Sequence, residues 1–260
     1  MTLPRQRPCT LPEGTPGYVL VSGGKDSVAT LHYLNSLGCV KGAIHLRTGI
    51  SAPDTEPFVR SLCKDMGVPL EVYETPVPYW ALVWMYGFPK GPTGHRRAFG
   101  ALKDRPLAEA CRSHRGEVFY TGVRKRESIR RFGNVRPCTL THNQVHLHAA
   151  IIDWSNREVW SYLRAHDLTP SPCSITIGIS GDCLCGSFSK PGECEAIRLR
   201  YPELAEAITR MEEDNPHAYP YNRYGNVKDT GFTGKRHRGS LDNYFCGSCD
   251  MPSAADRDRT

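Results

Sequence analysis

Tyr18-Val19-Leu20-Val21-Ser22-Gly23-Gly24-Lys25-Asp26-Ser27 opens as an apolar run of strand length and ends in a glycine turn. Such a run reads as a buried strand entering a loop. From Asp26 onward Val28, Leu31, Leu34 and Leu37 recur at helical spacing, and Gly38 sits where a helix C-cap belongs. Strand, turn and helix in that order make an anion site. The glycines let backbone N–H groups approach phosphate oxygens, and the new helix presents its positive end. Ser22 and Ser27 can donate hydroxyl hydrogen bonds and Lys25 supplies charge, while Asp26 would cap the helix or help to hold Mg²⁺. The plain alternative is an ordinary strand-to-helix turn. The glycine spacing is neither that of the Walker P-loop nor that of the dinucleotide fingerprint.

Outward from this stretch the alternation continues. Residues 42–46 read as a second strand, 57–66 as a helix ending at Gly67, and 70–73 as a third strand. Residues 99–114 have a helical pattern and 118–121 a strand pattern. Residues 141–148 alternate like a strand, and Val159, Trp160 and Leu163 share one face of a helix over 154–166. Strand–helix alternation predicts an α/β fold with a doubly wound parallel sheet, Rossmann-like in its winding. Residues 76–94 mix Pro, Gly and aromatics and predict an irregular, ligand-facing loop. Residues 169–192 are rich in Cys, Gly and Ser without periodicity, and 193–213 return to a helical pattern. The expected organisation is a nucleotide-binding α/β domain over 17–168 and a Cys-rich C-terminal region over 169–260, with a polar, basic tail around Lys235-Arg236-His237-Arg238.

Composition narrows the class. A 39% apolar share with 23% charged residues is globular rather than disordered. No apolar run reaches the roughly 20 residues that span a bilayer, and residues 1–16 lack an apolar signal core, so a cytoplasmic enzyme without membrane partners is expected. A net charge of +6 suits a nucleotide or nucleic acid but is common in ordinary enzymes. Eleven cysteines without a signal peptide favour metal binding or thiol chemistry over a disulfide scaffold.

Ser22-Gly23-Gly24-Lys25-Asp26-Ser27 resembles the PP-loop of the ATP pyrophosphatase and phosphoadenosine phosphosulfate (PAPS) reductase superfamily, whose fold is adenine nucleotide alpha-hydrolase-like. Further segments follow in the same order. His45-Leu46-Arg47-Thr48-Gly49-Ile50 is similar to the family segment that borders the adenosine, with Arg47 where an Asp is usual. His95-Arg96-Arg97 with Leu102-Lys103 resembles its Lys-containing segment. Thr121-Gly122-Val123-Arg124-Lys125-Arg126-Glu127-Ser128 with Arg130 and Arg131 resembles its Gly-Val-Arg motif, and Ile152-Asp153-Trp154 with Glu158-Val159-Trp160 the helix that follows. The resemblance implies nucleotide contacts from residues 22–27, Thr48, Gly49, Lys103, Gly122, Arg124 and Arg130. The arginines independently offer bidentate donors to phosphate or sulfate; the alternative is a solvated basic helix face.

Cys173, Cys183, Cys185 and Cys194 crowd one loop without hydrophobic periodicity, which needs an external brace such as a metal. A 4Fe–4S cluster takes four thiolates at variable spacing, whereas a zinc knuckle favours Cys-x-x-Cys. The resemblance tilts the choice to 4Fe–4S, with Zn²⁺ as the alternative, because the phosphorothioate-DNA sulfurtransferase branch uses a similar four-Cys pattern. Cys246-Gly247-Ser248-Cys249 has knuckle spacing and would otherwise act as a redox dithiol, which makes Cys246 and Cys249 catalytic candidates with Lys25 and Asp26. The Glu-Cys-Gly motif of the sulfate-reduction branch is absent. Among the histidines, His45, His95, His142, His146 and His148 favour surface positions over metal ligation. Tyr79, Trp80, Trp84, Tyr86 and Phe88 either stack on a base or bury a loop.

The expected function is sulfur transfer or reduction on ATP, with Mg²⁺, or on a PAPS-like adenylate. A nucleic acid would be one sulfur acceptor, and a thiol or a cysteine desulfurase the sulfur or electron donor. The other class of reading is a non-catalytic nucleotide-binding subunit or sensor of a nucleic-acid modification complex with a structural metal. Assembly is left open between monomer and homodimer.

Overall fold

In β2 (Gly17–Leu20) neighbouring side chains point to opposite faces, and both faces are covered. Val19 packs with Leu31, Leu34, Val59 and Cys63 of α1 (Lys25–Ser36) and α2 (Thr55–Asp65). Leu20 packs with Leu107, Ala110 and Cys111 of α5 (Arg105–Ser113). A strand buried on both faces has no polar alternation to display, which is why residues 18–21 read as a continuous apolar run.

The computed structural model describes residues 7–8, 11–12, 14–89, 91–127, 136–140, 144–187 and 192–214. Besides β2 the strands are β1 (Arg7–Pro8), β3 (Val40–Arg47), β4 (Leu70–Glu74), β5 (Val118–Thr121), β6 (Cys138–Leu140) and β7 (His146–Ala149). They form one sheet in the order β1-β6-β7-β5-β2-β3-β4. The run β7-β5-β2-β3-β4 is parallel, and β6 and β1 extend it antiparallel at one edge. The doubly wound α/β expectation therefore holds, with a mixed edge that the sequence did not signal.

Three local corrections have physical causes. The loop expected over 76–94 contains helices α3 (Tyr79–Tyr86) and α4 (Gly91–Phe99). Pro78 precedes the first, no Pro or Gly interrupts it, and Gly87 at φ 71° ends it. The helix expected over 99–114 is a π-turn (Gly100–Asp104) running into α5, which starts with Pro106 in its first turn. The single helix expected over 193–213 is two, α8 (Glu193–Arg200) and α9 (Pro202–Glu213), because Pro202 disfavours helical geometry at Tyr201. Between α5 and α8 in chain order, α6 (Asn156–Ala165) starts with a full capping box, Ser155 and Glu158 satisfying each other's backbone N–H, and α7 (Pro172–Thr176) is capped by Ser171. Among the described residues no helix is long and apolar enough to cross a membrane.

Chain order makes the site. From β2 the chain winds outward through β3 to β4, then returns to place β5 and β7 on the opposite side of β2. The winding reverses between β2 and β5, and such a switch point is where open α/β sheets place their ligand crevice, at the carboxyl ends of the strands.

Candidate nucleotide site

Residues 22–27 leave β2 into this crevice. Val21 donates its N–H to Ile44 at 2.8 Å, which ends the strand pairing, and Gly23 turns the chain at φ 80°. A side chain at Gly23 would be strained and would press on Ser171 and Thr55 at 3.3–3.4 Å, so glycine is required there. Gly24 is the N-cap of α1, and among the described residues no side chain caps that helix. Its first N–H groups stay available to an anion. Ser27 donates to the Gly24 carbonyl at 2.9 Å and accepts from the Ser22 backbone N–H and hydroxyl at 3.2 Å, which closes the loop.

Across the crevice, the chain leaving β5 presses directly onto the loop. A methyl group on Gly122 would lie 2.8 Å from the Asp26 carbonyl oxygen and 2.9 Å from the Ser27 nitrogen. That contact brings the buried Arg124 to Asp26: Nε donates to the carboxylate at 2.7 Å, while Nη1 donates to the Trp154 carbonyl at 3.3 Å. Lys25 holds the other carboxylate oxygen at 2.6 Å. Burial alone would raise the Asp26 pKa, but attraction from Lys25 and then Arg124, with hydrogen bonds from both, outweighs it and holds the carboxyl below its ordinary range. Asp26 thus serves as a counterion rather than a helix cap. Two cations and one carboxylate leave this corner with net positive charge beside an uncapped helix start, an arrangement complementary to a phosphate chain.

The third wall comes from the cysteine segment. Ser171 donates its N–H to the Gly23 carbonyl at 2.8 Å, and a methyl on Gly24 would touch Ser180 at 3.0 Å. Ala52 N–H bonds the Gly181 carbonyl and Leu184 N–H the Ile50 carbonyl, both at 2.7 Å. Thr48 Oγ1 donates to the Asp182 carbonyl at 2.7 Å, and Tyr79 Oη to the Cys185 carbonyl at 2.8 Å. Lys103 Nζ pairs with the Asp182 carboxylate at 2.7 Å, and Ser180 donates its hydroxyl to the same carboxylate. Burial works against the charge on each, but their mutual attraction keeps the Lys103 pKa above and the Asp182 pKa below the ordinary value. Besides the nucleotide contacts expected of them, Thr48 after β3 and Lys103 in the π-turn before α5 both fasten Asp182 of the cysteine segment to the fold.

Ser171, Ser180 and Asp182 were not singled out from sequence; the Ser171-Pro172 helix start was the one available signal. His45 is buried rather than superficial. Its Nδ1 donates to the Val21 carbonyl at 2.8 Å, burial pushes its pKa down, and Nε2 has no hydrogen-bond partner among the described residues. Arg47, placed where the resemblance suggested ribose or base recognition, gives Nε and Nη2 to Glu56 at 2.7 Å and Nη1 to Glu74 at 3.2 Å.

The four central cysteines border one apolar cluster with Ile50, Leu102, Leu184 and Tyr201. Hydrogen bonding from Cys183, together with contacts to His95 and Ser187, makes Cys185 the thiol held well below its ordinary pKa, and Cys183 is raised correspondingly. Burial pushes the Cys173 thiol up to about 12 and raises Cys194 as well. Among the described residues no group of three or more His, Cys, Asp or Glu stands together as a metal-holding set. The donor types suit a cluster; the ligand set is not assembled. Arg130, Cys246 and Cys249 lie outside the described residues.

Comparison with known proteins gives the same frame. The model of the phosphoadenosine phosphosulfate reductase domain matches residues 17–173, from the first residue of β2 to the first cysteine of the cluster region. Phosphoadenosine 5'-phosphosulfate reductase of Salmonella choleraesuis is 30% identical over 204 residues, which cover 76% of this chain and 78% of that protein. The enzyme of the same name from Xanthomonas euvesicatoria is 28% identical over 156 residues, 58% of this chain and 63% of its own length. A crystal structure of PAPS reductase from Candida auris, in a phosphate complex, aligns over 63% of this chain and 78% of its own at 15% identity and a TM-score of 0.49.

Proposed function

The chain belongs to the phosphoadenosine phosphosulfate reductase domain family, and on that premise we propose that it binds a PAPS-like adenylate in the β2–β5 crevice and reduces or transfers its sulfur. The observation that carries this reading is the Lys25–Asp26–Arg124 corner against the uncapped start of α1. The backbone N–H groups of residues 22–27 would hold the phosphate chain and the two cations would stabilise charge on the departing phosphate oxygen. In the reductase form a thiolate attacks the sulfo sulfur, an S–S bond forms, and the phosphate–sulfate O–S bond breaks with the electron pair leaving on the adenylate. A second thiol then displaces sulfite and the two thiols end as a disulfide. Cys246 and Cys249 are the proposed pair, supported by their Cys-x-x-Cys spacing.

The loop equally suits ATP with Mg²⁺, in which case an acceptor oxygen is adenylated, pyrophosphate leaves, and sulfur from a thiol or a cysteine desulfurase displaces AMP. Parallel incubations with PAPS plus reduced thioredoxin and with ATP plus Mg²⁺ separate the two. Sulfite from the first without pyrophosphate from the second supports the reductase form; the reverse result assigns the ATP form, and neither product from either rejects the proposal. A metal centre on Cys173, Cys183, Cys185 and Cys194, 4Fe–4S or Zn²⁺, belongs to the same reading and is supported by their shared border on one apolar cluster. When bound, it would supply thiolate-held charge or electrons beside the crevice. Iron, zinc and sulfide determination with an absorbance spectrum on anaerobically purified protein tests it; a metal-free preparation would remove it.

A further inference from the structure

Between Glu74 and Asp104 the sequence has no Asp or Glu, and it carries two Trp, two Tyr, two Phe, three Lys or Arg outside the buried Lys103, and one His. The fold makes a surface from this stretch. Tyr79 and Val83 are buried one helical turn apart and anchor α3 on the cysteine cluster, which turns Trp80 and Trp84 outward at the same spacing. Trp80 is 61% exposed and Trp84 54%, with Met85 and Tyr86 exposed beside them. Exposed tryptophans in a row are rare on a surface with nothing to bind. Arg97 of α4 lies over the Tyr86 ring, 4.1 Å from its centroid, and Arg96 next to it is also exposed.

The platform starts at the crevice. A methyl on Gly49, at the end of β3, would lie 3.9 Å from the Tyr79 backbone nitrogen, so the first turn of α3 abuts the proposed nucleotide site. We propose that the Trp80–Trp84–Tyr86 face with Arg96 and Arg97 is the docking track for a single-stranded nucleic acid led toward that site. Aromatic faces stack on successive bases without sequence preference, while arginines neutralise phosphates and stack in turn. A second copy of the chain fits this face less well. A two-fold interface sets the patch against itself, and with no carboxylate on α3 or α4 the arginines would meet like charge. The neighbouring α9 is acidic, with Glu203, Glu206, Glu212 and Glu213, and confines the cationic track to α3 and α4.

As the acceptor's dock this inference rests on the proposed adenylate chemistry, but binding is measurable without turnover. Fluorescence anisotropy of a labelled mixed-sequence 20-mer DNA with the full chain should give saturable binding with a salt slope, and tryptophan emission should be quenched. Trp80→Ala with Trp84→Ala should weaken binding about ten-fold or more. The Phe pair should recover most of it. Arg97→Gln should lower the salt slope by about one and weaken binding less steeply. Sulfite and pyrophosphate release without oligonucleotide, measured on the same preparations, reports on the adenylate reading alone. Absence of saturable binding at low salt, binding indifferent to the double Ala variant, or light scattering that shows a dimer split by that variant would each overturn the proposal.

Discussion

The Lys103–Asp182 pair permits a quantitative test of what fastens the cysteine segment to the nucleotide fold. Both side chains are nearly inaccessible, at 5% and 12% exposure, with 2.7 Å between charged atoms. Coulomb attraction at that distance is roughly 6 kcal/mol in an effective dielectric of about 20. Desolvation of two buried ions consumes most of it, so the intact pair adds little net stability. A broken pair is different. Lys103→Met leaves the Asp182 carboxylate with the Ser180 hydroxyl, and Asp182→Leu leaves an ammonium beside Cys183 and Cys185. Each single change should cost about 3–5 kcal/mol, whereas the double change to apolar residues should return to within about 1–2 kcal/mol of the parent. In thermal denaturation the single changes correspond to a loss of roughly 6–20 °C. Urea titration of the four proteins supplies the cycle. Singles that cost less than about 1 kcal/mol, or a double equal to their sum, would refute the claim that this pair joins residues 180–185 to the sheet as a coupled, buried unit.

Three further outcomes follow from named contacts. Gly122→Ala should destabilise by about 1–3 kcal/mol, because its methyl meets fixed backbone at Asp26 and Ser27, and calorimetry should show weakened adenosine 3′,5′-bisphosphate binding. Glu56, paired with Arg47 and Arg60, has its carboxyl lowered from 4.5 to about 2, with hydrogen bonds from Arg47 leading and burial opposing. A depressed acid gives stability that is complete above the unfolded value and lost as pH falls through the folded one. Acid unfolding of the parent between pH 4.5 and 2 should therefore be steeper than that of Glu56→Gln, and parallel curves would contradict the assignment. Ser155→Ala removes the reciprocal cap of α6 and should cost about 1 kcal/mol in urea denaturation, with no change in nucleotide binding.

Some of the molecule was legible because its cause is local. The apolar run before Ser22, the glycines after it and the helical spacing of Val28, Leu31 and Leu34 each act within a few residues, so strand, turn and helix appear in order in the sequence. Gly38 and Gly67 end their helices at positive φ as their placement suggested. Where local signals conflict, the reading failed. Residues 76–94 hold enough Pro and Gly to suggest a loop, yet the uninterrupted segment from Tyr79 to Tyr86 is long enough for two turns of helix once Tyr79 and Val83 find a core. Residues 169–187 show no periodicity because they pack by backbone hydrogen bonds and single buried side chains rather than by a repeating face.

The sequence by itself determined that a glycine-rich loop joins a buried strand to a helix, and that arginines, a lysine and clustered cysteines are available around it. Only the tertiary structure decided which of them meet. Asp26 and Arg124 are 98 positions apart and touch because the winding reverses between β2 and β5. Lys103 and Thr48 face Asp182 rather than open solvent because the cysteine segment folds back over the carboxyl end of the sheet. Residue type and short-range spacing are set by chemistry within a few bonds; long-range pairing is set by sheet order and packing, which no single segment carries.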